Sequence, residues 1–175
     1  AVLLMVHYTL LGINERHRVK LGCACKVISA FDMARMMALG ADWCNSARGF
    51  MFALGCIQAQ SCHTGHCPTG VTTQDPSRMR ALVVPDKTER VYRYHHNTMF
   101  ALKELVQAAG LHHPNEITAD HILRRVSGCD TRRLSNLLRY AKPGELLLAE
   151  QGKGPWLQPA FEQYWNRARA DSFSL

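Results

Sequence analysis

The sequence predicts a mixed α/β chain, and three observations predict it. Two short runs, residues 18–23 (RVKLGC) and 41–45 (ADWCN), carry the apolar residues of brief buried strands. Each run leads into a segment with helical spacing, so strand, helix, strand and helix follow one another within residues 18–55. That order is the signature of adjacent parallel strands joined by a crossover helix. Beyond residue 76 the apolar spacing is helical throughout, which predicts a helical tail.

Each element has its own local grounds. Residues 1–11 read as a helix or its last turns, closed by Gly12. Ser29 caps the crossover helix, residues 29–39, with Asp32 three positions on as an acidic capping box. Met33, Ala34, Met36 and Met37 make its apolar side, a stripe that belongs to a core, and Gly40 ends it. Residues 49–55 (GFMFALG) form the next helix, and residues 61–76, rich in Gly, Pro and Thr, form a loop. A long helix is predicted over 87–109, with Asp86 as N-cap, Glu89 three residues on and Gly110 as the stop. Val91, Tyr94, Thr98, Leu102 and Leu105 give it a face. Residues 118–126 and 130–140 read as two shorter helices, and Lys142-Pro143-Gly144 as a break. Gly152, Gly154 and Pro155 open a loop, and Pro159 starts a last helix with Phe161, Tyr164 and Trp165.

Composition bounds the function classes. The chain has 175 residues, 47% apolar and 20% charged, which is a globular composition with material for a core. Its longest apolar run, residues 1–11, is interrupted by His7, Tyr8 and Thr9 and is too short to span a bilayer. It also lacks the basic start of a signal peptide, so no membrane role is expected of this segment. The first residue is Ala, not Met, and the chain is expected to be the C-terminal piece of something longer. An upstream targeting segment would then lie outside it.

The formal net charge is +7, but the Lys and Arg residues are dispersed. A nucleic-acid partner rests on that charge alone and is not expected. Seven cysteines, an odd number, are too sparse for a disulfide scaffold, and cytoplasmic thiols, some of them metal ligands, fit better.

The chemistry concentrates in residues 55–76, GCIQAQSCHTGHCPTGVTTQDP. Cys56, Cys62 and Cys67 are spaced C-x5-C-x4-C, among Gly65, Pro68 and Gly70 that let the backbone wrap closely. Thiolates bind soft metals and iron–sulfur clusters, and a 3Fe–4S cluster needs only three cysteines. A zinc site, with His63 or His66 as the fourth ligand, is the alternative: a metal-binding module without redox activity. A second candidate lies after the two strands. A phosphate could rest on the helix start near Gly49, with Arg48 forking onto it.

Residues 26–76 resemble the end of the FMN-binding barrel of the glutamate synthase large subunit. They look closest to the branch that carries the barrel without an amidotransferase domain. In that family the C-x5-C-x4-C run is followed by P-x-G-V-x-x-Q, which here reads Pro68, Gly70, Val71 and Gln74. The similarity covers residues 18–76 and continues through VVPDKTERVYRYHHNT into the long helix.

The resemblance implies an α/β fold that is the C-terminal part of a (β/α)8 TIM barrel, its last two strands and helices. Residues 1–76 would hold this barrel end with its Fe–S cysteine loop, and residues 77–175 a helical extension. The FMN phosphate would lie at Ala24, Cys25 and Lys26 and at Ser46, Arg48 and Gly49, although glycine would be expected near Cys25. Cys56, Cys62 and Cys67 would hold a 3Fe–4S cluster. The implied activity is that of an oxidoreductase forming L-glutamate from 2-oxoglutarate and glutamine-derived ammonia. It would draw on an electron-donor protein or subunit. Catalytic residues are not assigned. Two strands cannot close a barrel, so this chain alone is expected to be inactive and poorly stable.

Overall fold

The computed structural model describes residues 2–24, 26–150, 167 and 169–172. Helix α1 spans Val2–Gly12, and a 3-10 turn, Arg16–Arg18, leads to strand β1, Gly22–Cys23. Helix α2 (Ala30–Ala38), strand β2 (Trp43–Cys44) and helix α3 (Arg48–Leu54) follow. After the cysteine loop come α4 (Pro76–Met79) and the long α5 (Val84–Ala108). Strands β3 (Leu123–Arg125) and β4 (Thr131–Arg133) form a hairpin, and α6 (Leu134–Leu137) and α7 (Glu145–Glu150) complete the order.

Among the described residues the fold is mixed α/β with two two-stranded sheets, β1 beside β2 and β3 beside β4. The strand–helix–strand–helix order over residues 18–55 is present, and β1 and β2 are neighbours. Both strands are shorter than the sequence predicts. Asp42 shows why: its carboxylate takes the Leu21 N–H at 2.6 Å while its own N–H donates to Leu21 O at 2.8 Å. A side chain thus replaces a rung of the ladder at the strand entrance.

The capping box of α2 is formed, with Asp32 N–H on Ser29 Oγ at 3.2 Å and Ser29 N–H on Asp32 Oδ2 at 3.0 Å. Gly40, in the left-handed region at φ 103°, ends that segment. Helix α5 begins earlier than the predicted residue 87. Val83 is its N-cap and Pro85 sits in the first turn, where a missing N–H costs nothing and the fixed φ suits the helix. Asp86 lies inside the first turn and pairs with Lys87 at 3.0 Å.

Residues 118–126 and 130–140 are not two helices, which corrects the purely helical tail. A 3-10 turn, Ala119–His121, forms behind the Thr118–His121 capping box in the first segment, and only Leu134–Leu137 (α6) is helical in the second. The chain then turns back at Ser127–Gly128–Cys129, pairing Leu123 with Arg133, Arg124 with Arg132 and Arg125 with Thr131. Between Ile122 and Leu134, both buried, no apolar residue is buried, so a helix there would have no face to cover. Gly128 at the tip suits a three-residue hairpin loop. The loop at Gly152, Gly154 and Pro155 and the helix from Pro159 through Phe161, Tyr164 and Trp165 lie outside the described residues.

The chain divides into two compact units. One comprises Ala1–Cys23, Arg35–Trp43 and Ile117–Leu175. Its core cluster is Tyr8, Ala141 and Leu146, flanked by Leu4, Leu11, Ile13 and Tyr140. Leu146 occupies the space a side chain at Gly12 would need, and Gly144 N–H donates to Leu11 O at 3.1 Å. In the same unit Arg16 is a hub. Its guanidinium reaches His7 Nδ1 at 3.0 Å, Val19 O at 2.7 Å, and Gly40 O and Asp42 Oδ2 at 2.8 Å each.

The other unit comprises Ala24–Ala34 and Cys44–Glu116, with α3 packed on α5. Phe50 meets Tyr94 edge-on at 5.0 Å between ring centres.

Candidate functional site

The loops after β1 and β2 are pinned by three hydroxyl contacts. Ser46 Oγ donates to Val27 O at 2.7 Å, and Tyr94 OH, from α5, donates to Ile28 O at 2.5 Å. The two hydroxyls lie 3.1 Å apart. Each has a single proton, so with both donated to carbonyls these two contacts define the arrangement. Asp32 holds the same stretch from the other side, accepting the Ile28 N–H at 3.2 Å.

The pinned loops enclose a cleft of about 270 Å³ lined by Ala24, Lys26, Val27, Asn45, Ala47 and Arg48. Lys26 stands in the left-handed region at φ 49°, which turns the chain sharply at the cleft wall. Lys26 and Arg48 are exposed, and neither has an ion pair or side-chain hydrogen bond among the described residues. Among the described residues, no acidic side chain lines the cleft. Two unpaired cations facing one small concavity suit an anionic group.

The residues singled out in the sequence distribute unevenly around this cleft. Ala24, Lys26 and Arg48 line it. Ser46 and Gly49 are not among its lining residues: the Ser46 hydroxyl is directed to Val27 O, and Gly49 is buried against it and Tyr94. Tyr94 approaches so closely that Gly49 has no room for a Cβ, so α5 packing dictates the glycine. Cys25 lies outside the described residues. Sequence reasoning missed Val27, Asn45 and Ala47 as cleft residues, although Val27 follows Lys26 and the other two sit between Cys44 and Arg48, at the end of β2.

The cysteine loop begins where α3 ends. Gly55 caps α3 in the left-handed conformation, and Cys56 N–H donates to Met51 O at 3.0 Å. Cys62 opens a 3-10 turn, Cys62–Thr64, and Cys67 lies in the loop beyond. Cys56 and Cys62 line one cleft of about 390 Å³ together with Arg48, Gln58 and Gln60. Cys67 is buried outside that lining set.

The expected meeting of all three sulfurs is therefore not found. Among the described residues, no three of His, Cys, Asp and Glu come together to hold a metal ion. Gln58 and Gln60, between Cys56 and Cys62, both take left-handed conformations, at φ 57° and 58°. Gly70 holds the far side: it too is left-handed, at φ 75°, and the Arg78 carbonyl occupies the place of a Cβ.

Cys67 has its own hydrogen-bonding turn. The Thr69 hydroxyl is the largest influence on its thiol, followed by the backbone and hydroxyl of Thr72. These partners favour the thiolate and bring the pKa down to about 6.

A family model described as the conserved region in glutamate synthase matches residues 1–112. The chain belongs to the glutamate synthase family. It is 37% identical over 123 residues to the glutamate synthase large subunit-like protein YerD of Bacillus subtilis (strain 168), covering 70% of this chain and 23% of that protein. It is 26% identical over 146 residues to the NADPH glutamate synthase large chain of Azospirillum brasilense, covering 80% of this chain and 9% of that one. With the ferredoxin-dependent glutamate synthase 1, chloroplastic/mitochondrial, of Arabidopsis thaliana it shares 35% identity over 89 residues, 50% of this chain and 6% of that one. The chain thus spans less than a quarter of the length of these curated relatives. Among the described residues, no helix is long and apolar enough to cross a membrane.

Proposed function

We propose that this chain is the segment of a glutamate-synthase-type oxidoreductase that carries the end of an FMN-binding (β/α)8 barrel. Residues 1–76 supply the last two barrel strands and the cysteine loop, and residues 77–175 an extension. The observation that carries this reading is the convergence of the unpaired Lys26 and Arg48 on one cleft free of acidic lining residues.

That donor set fits a phosphate monoester. Lys26 gives a point charge, Arg48 a planar pair of N–H donors, and the Asn45 side-chain amide a neutral donor. Ser46, Tyr94 and Gly49 do not touch the phosphate in this reading. They hold the loops that present Lys26 and Arg48. The 3Fe–4S reading rests on the cysteine spacing: Cys56, Cys62 and Cys67 are three soft donors that would have to be drawn together from the arrangement described above, and Thr69 and Thr72 favour the thiolate form of Cys67. When bound, FMN and the cluster would supply the electron transfer that forms L-glutamate from 2-oxoglutarate and glutamine-derived ammonia. The electrons would come from a donor protein or subunit, in the cytoplasm. The chain by itself would be inactive, because the flavin-ring and substrate contacts belong to the rest of the barrel.

The test is made on the full-length protein. Replacing Lys26 or Arg48 by Ala should weaken FMN retention by about 1.5–3 kcal/mol, roughly tenfold to a hundredfold. Replacing Cys56, Cys62 or Cys67 by Ser should lower bound iron and acid-labile sulfide, while Cys129→Ser leaves both unchanged. Flavin retention unaffected by both cleft substitutions would refute the phosphate site, and iron-free protein with full activity would refute the cluster.

A further inference from the structure

The strongest unexplained feature lies outside the cleft and the cysteine loop. The β3–β4 hairpin carries four arginines in six strand residues, and every strand residue is exposed. Arg124 stands directly across from Arg132. Like charges opposite one another oppose the pairing. Arg132 has a carboxylate partner, Asp130 at 2.8 Å. Arg124, Arg125 and Arg133 have no ion pair or side-chain hydrogen bond among the described residues. The cluster therefore does nothing for the hairpin itself, and an external anionic surface would relieve its repulsion.

We propose that this hairpin docks an acidic protein surface. Side chains alternate between the two faces of a strand, so Leu123, Arg125 and Arg133 share one face and Arg124 and Arg132 the other. Each face also presents an exposed apolar side chain. Leu123 is 61% exposed among the first group, and Val126, one step past the strand, is 48% exposed on the second. Arginine around an accessible apolar contact is the make-up of a protein interface. Guanidinium groups are weakly hydrated and bind carboxylates through paired N–H bonds. No aromatic residue occurs between residues 123 and 133, so the hairpin lacks the stacking platforms of a single-strand nucleic-acid binder. The proposal is independent of the cofactor reading, since the hairpin holds no residue assigned to the cleft or the cysteine loop.

The test measures binding of a fluorescent peptide, Glu alternating with Leu, to the full-length protein at physiological ionic strength. Duplex DNA serves as a second probe. Arg124→Gln with Arg125→Gln should weaken peptide binding by roughly tenfold or more. Arg80→Gln with Lys103→Gln, which changes the net charge equally, should alter it by less than about twofold. Leu123→Ser should weaken the peptide and leave DNA binding unchanged. Neither hairpin variant removes a buried side chain, and unchanged circular dichroism confirms that each folds. Three outcomes overturn the proposal: no peptide binding by the unmodified protein, equal losses in the hairpin and control variants, or Leu123→Ser without effect on the peptide.

Discussion

Tyr94→Phe isolates one hydroxyl that positions the cleft without touching it. The ring keeps its edge-on contact with Phe50, so packing is conserved and only the hydrogen bond to Ile28 O is removed. A neutral hydrogen bond contributes about 0.5–1.5 kcal/mol net, and a carbonyl left dry costs about 1–3 kcal/mol. Ile28 is half-buried, so water reaches its carbonyl in part and the cost falls to about 1–1.5 kcal/mol. Urea denaturation of the full-length protein gives the stability change, and FMN retention gives the effect on Lys26 and Arg48. Ser46→Ala, alone and combined with Tyr94→Phe, completes a double-mutant cycle. The two hydroxyls share one anchoring arrangement, so their effects should be non-additive. A stability change below about 0.3 kcal/mol, with additive effects, would refute the anchoring role.

Gly49→Ala sets a methyl group against the Tyr94 hydroxyl and Ser46 Oγ, and should destabilise by about 1–3 kcal/mol in urea denaturation; pairing it with Tyr94→Phe should recover part of that loss. His7 is held below its usual 6.5 first by burial and then by the Arg16 guanidinium, against a smaller opposing pull from Asp42. The unfolded chain then takes up a proton at higher pH than the folded one, so stability should fall as pH drops through 6.5 towards the folded value. In His7→Gln that part of the pH dependence should flatten, as read by denaturation at a series of pH values. Asp42 behaves differently. Burial raises its carboxyl, but the Leu21 N–H and Arg16 outweigh this and hold it low, so its contribution is lost only in more acid solution.

What could be read from sequence follows the range of the interactions involved. The Ser29–Asp32 cap spans three residues, and it stands as the spacing predicts. The end of α3 at Gly55 is equally local. The hairpin was hidden because its arginines carry no apolar periodicity, and the turn at Gly128 was the available signal. The role of Tyr94 was out of reach. Its ring spacing gave it a place on the face of α5, but the carbonyl it serves lies 66 residues away in sequence. Gly49 was legible only as a helix start that a phosphate could approach; what requires a glycine there is a tyrosine arriving from another helix. The cysteine spacing announced three soft ligands. It carried no sign that Gln58 and Gln60 would adopt left-handed backbone, or that Cys67 would lie outside the cleft shared by Cys56 and Cys62.

The contact between Gly12 and Leu146 sets a timetable for biosynthesis. The unit built on Tyr8, Ala141 and Leu146 cannot close its core while the ribosome is still making residues 13–140. The other unit comprises Ala24–Ala34 and Cys44–Glu116, and its contacts are available well before then. Helix α1, with Tyr8 on its inner face, therefore emerges early and waits with an apolar surface uncovered. A pause in translation between residues 116 and 146 would lengthen the interval before Tyr8 meets Ala141 and Leu146.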